Sequence, residues 1–130
     1  SCAGHPPPLL IGPTGETTWL DEATSPPLNG NVSAQARHDR QVILEAGAMV
    51  VLYSDGLIER RGEHLDLGLD RLQNAARNLM AARSARAAEP SSTHENPARN
   101  LTESLTNDQV AADDIVVAPV QWLPLSRLTR

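Results

Sequence analysis

The chain has no phenylalanine, one tyrosine and two tryptophans among its 130 residues. An interior this poor in rings must be built from Leu, Val, Ile, Ala and Met, and it offers no stacking platform for single-stranded nucleic acid. With Cys2 as the one cysteine, no internal disulfide can form, which fits a reducing, cytoplasmic compartment. No apolar run approaches the ~20 residues of a membrane span. The first residues lack the charged-then-apolar pattern of a secretory signal. A block of positive charge is missing too: the formal net charge is −5, and Arg83, Arg86, Arg127 and Arg130 are dispersed. Phosphate backbones are bound by clustered basic surface, so nucleic acid is excluded as the main partner. The length suits one small domain or a piece of a larger one.

What is present concentrates in Met49-Val50-Val51-Leu52-Tyr53-Ser54-Asp55-Gly56-Leu57-Ile58-Glu59. The apolar, β-branched run predicts a buried strand. Asp55 then falls at the strand's C-terminal end, where Gly56 allows a sharp turn or a close backbone approach to a ligand. A carboxylate there is costly unless it is paired, hydrogen-bonded or bound to a cation.

Around this segment, Leu9 to Gly12 and Thr17 to Leu20 predict a hairpin turned at Pro13-Thr14-Gly15-Glu16, with Gly15 supplying a positive φ. Residues 22–40 read as loop. Arg40 to Leu44 and Met49 to Ser54 predict a second hairpin turned at Glu45-Ala46-Gly47-Ala48. From Leu69 the apolar positions Leu69, Leu72, Ala76, Leu79 and Met80 recur at helical spacing, predicting a helix to about Ala88 with one buried stripe. After a polar break, Ala98, Leu101 and Leu105 mark a shorter helix. Asp113-Asp114 then lead into an apolar strand, Ile115 to Val120.

If the strand after Asp113-Asp114 is the antiparallel neighbour of the strand before Asp55, the acids share one sheet edge. Carboxylates so placed suit hard cations such as Mg²⁺ or Mn²⁺, which prefer oxygen. Taken alone, Asp55 reads as a turn acid capping a hairpin or helix, and Asp113 as an N-terminal cap or charged strand edge.

Three motifs in order resemble a known family: Ala3-Gly4-His5-Pro6-Pro7-Pro8-Leu9-Leu10, Leu52-Tyr53-Ser54-Asp55-Gly56-Leu57-Ile58-Glu59 and Asp113-Asp114-Ile115-Val116-Val117. They are similar to the AGHPP, LYTDGLxE and DDI segments of metal-dependent phosphatases of the phosphatase 2C type, in the bacterial branch named after stage II sporulation protein E (SpoIIE). Pro27-Leu28-Asn29-Gly30 resembles its PLG element, and Leu67-Gly68-Leu69-Asp70-Arg71-Leu72 its FG-x-x-RL helix start.

The resemblance implies an α+β fold, part of a four-layer α-β-β-α sandwich with one helix pair. It implies two divalent metals, Mn²⁺ or Mg²⁺, that lower the pKa of a water for in-line attack on phosphoserine or phosphothreonine. By motif position Asp55 and Asp113 would be metal ligands. Asp114 falls where relatives often carry Asn, so it would stand beside the metals, and Gly56 would let the backbone pass close to them. The implied partner is a phosphorylated regulator of the anti-anti-sigma type, with sensor domains upstream. The family's GD-x-x-GHG segment, which carries a further acid, is absent from this chain. Residues 1–122 are therefore expected to form the C-terminal portion of a phosphatase domain, inactive alone, with 123–130 a tail. The alternative is a catalytically dead phosphatase-like module that binds a regulator. Glu59, His38, His64, His94 and Arg60-Arg61 read as solvated, His5 as a structural residue of the proline turn, and Cys2 as a small core residue.

Overall fold

The computed structural model describes residues 2–28, 37–86, 96–106 and 114–123. Its centre is β5, Met49–Tyr53, whose alternate residues Met49, Val51 and Tyr53 are buried. That period of two is what a half-covered strand demands. On one side β5 pairs antiparallel with β2, Leu9–Ile11, in the register Leu9↔Val51 and Ile11↔Met49. On the other it pairs antiparallel with β6, Val117–Gln121, with Tyr53↔Val117 and Val51↔Pro119. β3, Thr17–Trp19, completes the order β3-β2-β5-β6. Pro119 is admissible because β6 is an edge strand among the described residues, where a missing N–H breaks no ladder.

The first hairpin forms as expected, with Gly15 at φ 95° in its turn and the Gly12 N–H donating to the Glu16 carbonyl at 2.8 Å. The second hairpin does not form. Residues 40–44 are not strand, and Ile43 is 95% exposed. Both edges of β5 are occupied, by β2 and β6, so no edge remains to receive a strand at 40–44. Among the described residues, the loop expected over 22–40 holds one short strand, β4, Thr24–Ser25, paired parallel with β1, Cys2–Ala3.

α1, Leu65–Arg86, has no proline and no β-branched residue in 22 positions, and its acid and bases fall where the helix dipole favours them: Asp66 first, Arg83 and Arg86 last. It starts four residues before the apolar stripe does. Leu72, Ala76, Leu79 and Met80 are buried as expected, and Leu69 packs beside them. α2, Pro97–Thr106, has Pro97 at its first position. The Asn96 Oδ1 caps it by accepting the N–H groups of Ala98 at 3.0 Å and Arg99 at 3.3 Å. Leu101 and Leu105 are buried and Ala98 half-buried. The expected break at 89–97 falls largely outside the described residues, as does the tail beyond 123.

The helices pack on each other. α1 lies against β2 and β3, and α2 against β6 and the segment that follows β5. They cover the sheet face that carries Leu9, Ile11, Met49, Val51 and Tyr53, and Leu72 and Leu101 close the core from above. Each fully buried leucine contributes roughly 1.5–3 kcal/mol. The opposite sheet face is open: Leu52 is 44% and Val120 56% exposed. The α+β class, the antiparallel sheet and the helix pair all agree with the sequence reading.

Candidate functional site

The ladder between β5 and β6 continues past both strands. The Ser54 N–H donates to the Val116 carbonyl at 3.0 Å, and the Val116 N–H donates to the Ser54 Oγ at 2.9 Å. The Ser54 hydroxyl in turn donates to the Asp114 carbonyl at 3.0 Å. One serine therefore ties the residue before Asp55 to the backbone of Asp114. Both acids lie at the same end of the sheet, as antiparallel pairing requires. Asp113 lies outside the described residues.

Asp55 opens a single turn of 3₁₀ helix, Asp55–Leu57. Its Oδ1 accepts the Gly56 N–H at 3.0 Å, and its carbonyl accepts the N–H groups of Ile58 at 2.8 Å and Glu59 at 2.9 Å. Gly56, Leu57 and Ile58 are buried while Asp55 is exposed. The turn thus plugs its apolar residues into the core and leaves the carboxylate at the surface. Apart from the Gly56 contact, no described residue donates to that carboxylate.

Below the turn lies a set of polar contacts. The Arg71 Nη2 donates to the Ile58 carbonyl at 3.3 Å, and Arg71 Nη1 pairs with the Glu63 carboxylate. Arg60 Nη1 lies 4.0 Å from Glu63, and Arg60 Nη2 donates to the Leu105 carbonyl in the last turn of α2 at 2.9 Å. Arg60 is therefore not the solvated turn residue expected; its reach to the end of a packed helix half-buries it. Arg61, Glu59, His38 and His64 are exposed as expected, and His94 lies outside the described residues. His5 is exposed too, so it does not pack into the proline turn; that turn is instead held by the Tyr53 hydroxyl, which donates to the Pro7 carbonyl at 3.0 Å. Cys2 is half-buried. Burial, with the charge of Cys2 as a smaller contribution, pushes the Tyr53 phenol well above its ordinary range.

Glu63 was not singled out by sequence reasoning. Gly68 and Arg71 were, as the Gly-x-x-Arg of the helix start, a spacing that puts them on one helix face.

Asp55 and Asp114 are carboxylates at one end of the sheet, linked through the Asp114 backbone, and carboxylate oxygen is the ligand type that hard divalent cations prefer. Among the described residues, no three His, Cys, Asp or Glu side chains converge. A cleft of about 160 Å³ lined by Leu10, Gly12, Glu16, Ile43 and Ala48 lies at the other end of β5 and takes no part in this arrangement. Among the described residues no helix is long and apolar enough to cross a membrane.

A family model described as Stage II sporulation protein E (SpoIIE) matches residues 1–123. The fold is similar to a crystal structure of the RsbU and RsbW domains of Rv1364c from Mycobacterium tuberculosis, with a TM-score of 0.74 and 25% sequence identity. The match covers 93% of this chain and 31% of that one, so the chain spans about a third of the length of the protein it resembles.

Proposed function

The chain belongs to the stage II sporulation protein E family, and from that premise we propose that it is the C-terminal portion of a phosphatase 2C-type domain acting on phosphoserine or phosphothreonine. The observation that supports the reading is the Ser54 bridge, which ties the residue before Asp55 to the backbone of Asp114 at one end of the sheet. Asp55 would hold a Mn²⁺ or Mg²⁺ ion, with Asp113 as a second ligand by sequence position and Asp114 beside them. When bound, such metals make a water acidic enough to attack at neutral pH and offset charge on the phosphoryl oxygens. This chain's own part is to hold the carboxylate at the surface on a turn whose apolar residues are anchored. The proposed substrate is a phosphorylated regulatory protein of the anti-anti-sigma type. The RsbU and RsbW domains of the similar mycobacterial protein support a setting among regulatory proteins.

The open face that carries Leu52 and Val120 supports a further part of this reading. In the complete domain a second sheet from the preceding portion of the polypeptide covers it, and that portion supplies the remaining acids. The test is Mn²⁺-dependent hydrolysis of a phosphoserine protein by the complete domain. Asp55→Ala is expected to lower turnover at least a hundredfold. Unchanged turnover refutes the role of Asp55. Partner binding without any turnover in the wild type supports a binding module instead.

A further inference from the structure

The Gly-x-x-Arg at the start of α1 converges on one atom. The Ile58 carbonyl oxygen accepts from Arg71 Nη2 at 3.3 Å, and the same carbonyl lies so close over Gly68 that any Cβ there would collide with it. Ile58 is 2% exposed, so its carbonyl depends on a protein donor rather than on bulk water. The Ile58 N–H in turn donates to the Asp55 carbonyl at 2.8 Å. Two hydrogen bonds and one residue therefore separate the Arg71 guanidinium from the backbone of Asp55.

Arg71 is itself fixed. Its second nitrogen pairs with Glu63, and the side chains of Arg71 and Glu63 are 27% and 32% exposed, which shields the pair from solvent better than a surface ion pair. Glu63 also faces Arg60, whose other nitrogen holds the last turn of α2. Both helices thus grip the turn from below.

We propose that Gly68, Arg71 and Glu63 form a brace that fixes the turn carrying Asp55, so that Arg71 is a positioning residue for metal binding. The proposal rests on Asp55 being a metal ligand. Arg71 does not contact the carboxylate, so its action is geometric: it limits where the Asp55 carboxylate can stand. Supporting residues of this kind commonly account for ten- to a hundredfold in metal affinity. Lysine cannot replace it, because one ammonium cannot serve the Ile58 carbonyl and the Glu63 carboxylate with the rigid fork of a guanidinium.

The experiment titrates Mn²⁺ into the complete domain by calorimetry, well below the unfolding midpoint of each variant. Asp55→Ala, Arg71→Ala, Arg71→Lys and Glu63→Gln are compared with wild type. Arg71→Ala is expected to weaken Mn²⁺ binding at least tenfold, Arg71→Lys to recover only part of that loss, and Glu63→Gln to weaken binding by a smaller factor. Wild-type affinity in folded Arg71→Ala, with Asp55→Ala defective, overturns the brace alone and leaves Arg71 a stabilising residue. Wild-type affinity in Asp55→Ala overturns the metal reading and the brace with it. If Arg71→Ala does not fold, Arg71→Lys and Glu63→Gln decide: wild-type affinity in both overturns the brace.

Discussion

Ser54 and Asp114, 60 positions apart, are joined by a 3.0 Å hydrogen bond in which the Ser54 Oγ donates to the Asp114 carbonyl. The same oxygen accepts the Val116 N–H at 2.9 Å. One small side chain therefore closes the end of the β5–β6 ladder where the acids lie. Ser54→Ala removes both bonds. At about 1 kcal/mol each, and with the Asp114 and Val116 groups near solvent, the expected loss is about 1–2 kcal/mol in urea unfolding. Ser54→Thr keeps the hydroxyl and is expected to recover most of it. Equal losses in both variants would show that the hydroxyl is not what matters.

How much of this was legible in the sequence depends on how local each signal was. The hairpin at 9–19, the stripe on α1 and the apolar face of α2 follow from short-range periodicity and turn chemistry, and all formed. The strand expected at 40–44 has the same local composition as a real strand. It failed because β2 and β6 already fill both edges of β5, a fact fixed by residues 30 to 80 positions away. Two-residue strands such as β1 and β4 have no periodicity to read. At the site, Asp55 was visible because an acid after an apolar run is anomalous. Glu63 and Arg60 were not, because a charged turn looks solvated until the helix it reaches is in place.

Gly68 offers a case where the sign of an effect is decided by packing. At an exposed helix interior, glycine to alanine stabilises by about 1 kcal/mol. Here the new Cβ would meet the Ile58 carbonyl, which is backbone and cannot swing aside. Overpacking costs roughly 1–3 kcal/mol, so Gly68→Ala is expected to be net destabilising in thermal unfolding. A raised midpoint would mean that the turn shifts freely over α1.

The Tyr53 phenol gives a pH dependence with a definite sign. Burial foremost raises its pKa in the folded chain above the unfolded value near 10. The folded state therefore holds this proton more tightly. Its contribution is fully present below about pH 10 and is lost as pH rises from there toward the folded value. Tyr53→Phe loses the bond to the Pro7 carbonyl, about 1 kcal/mol near neutral pH, and is expected to flatten the alkaline slope. The check is the urea midpoint measured from pH 8 to pH 11 in both proteins; parallel curves would dismiss Tyr53 as the source.

The open sheet face bears on whether these residues are part of a larger domain. Val50 and Leu52 of β5 and Ala118 and Val120 of β6 share it, with Val50↔Val120 and Leu52↔Ala118 in register. Lysine at exposed positions normally changes stability by about 0.5 kcal/mol or less. Under a second sheet, the same ammonium would be desolvated without a partner, at a cost of several kcal/mol. Leu52→Lys and Val120→Lys, introduced separately into the complete domain, are each expected to lower its stability by about 2–4 kcal/mol in urea unfolding. Asn78→Lys on the exposed side of α1 serves as the control and is expected to leave it within about 0.5 kcal/mol. If both face variants behave like the control, the face stays in water in the complete domain and the second sheet does not cover it.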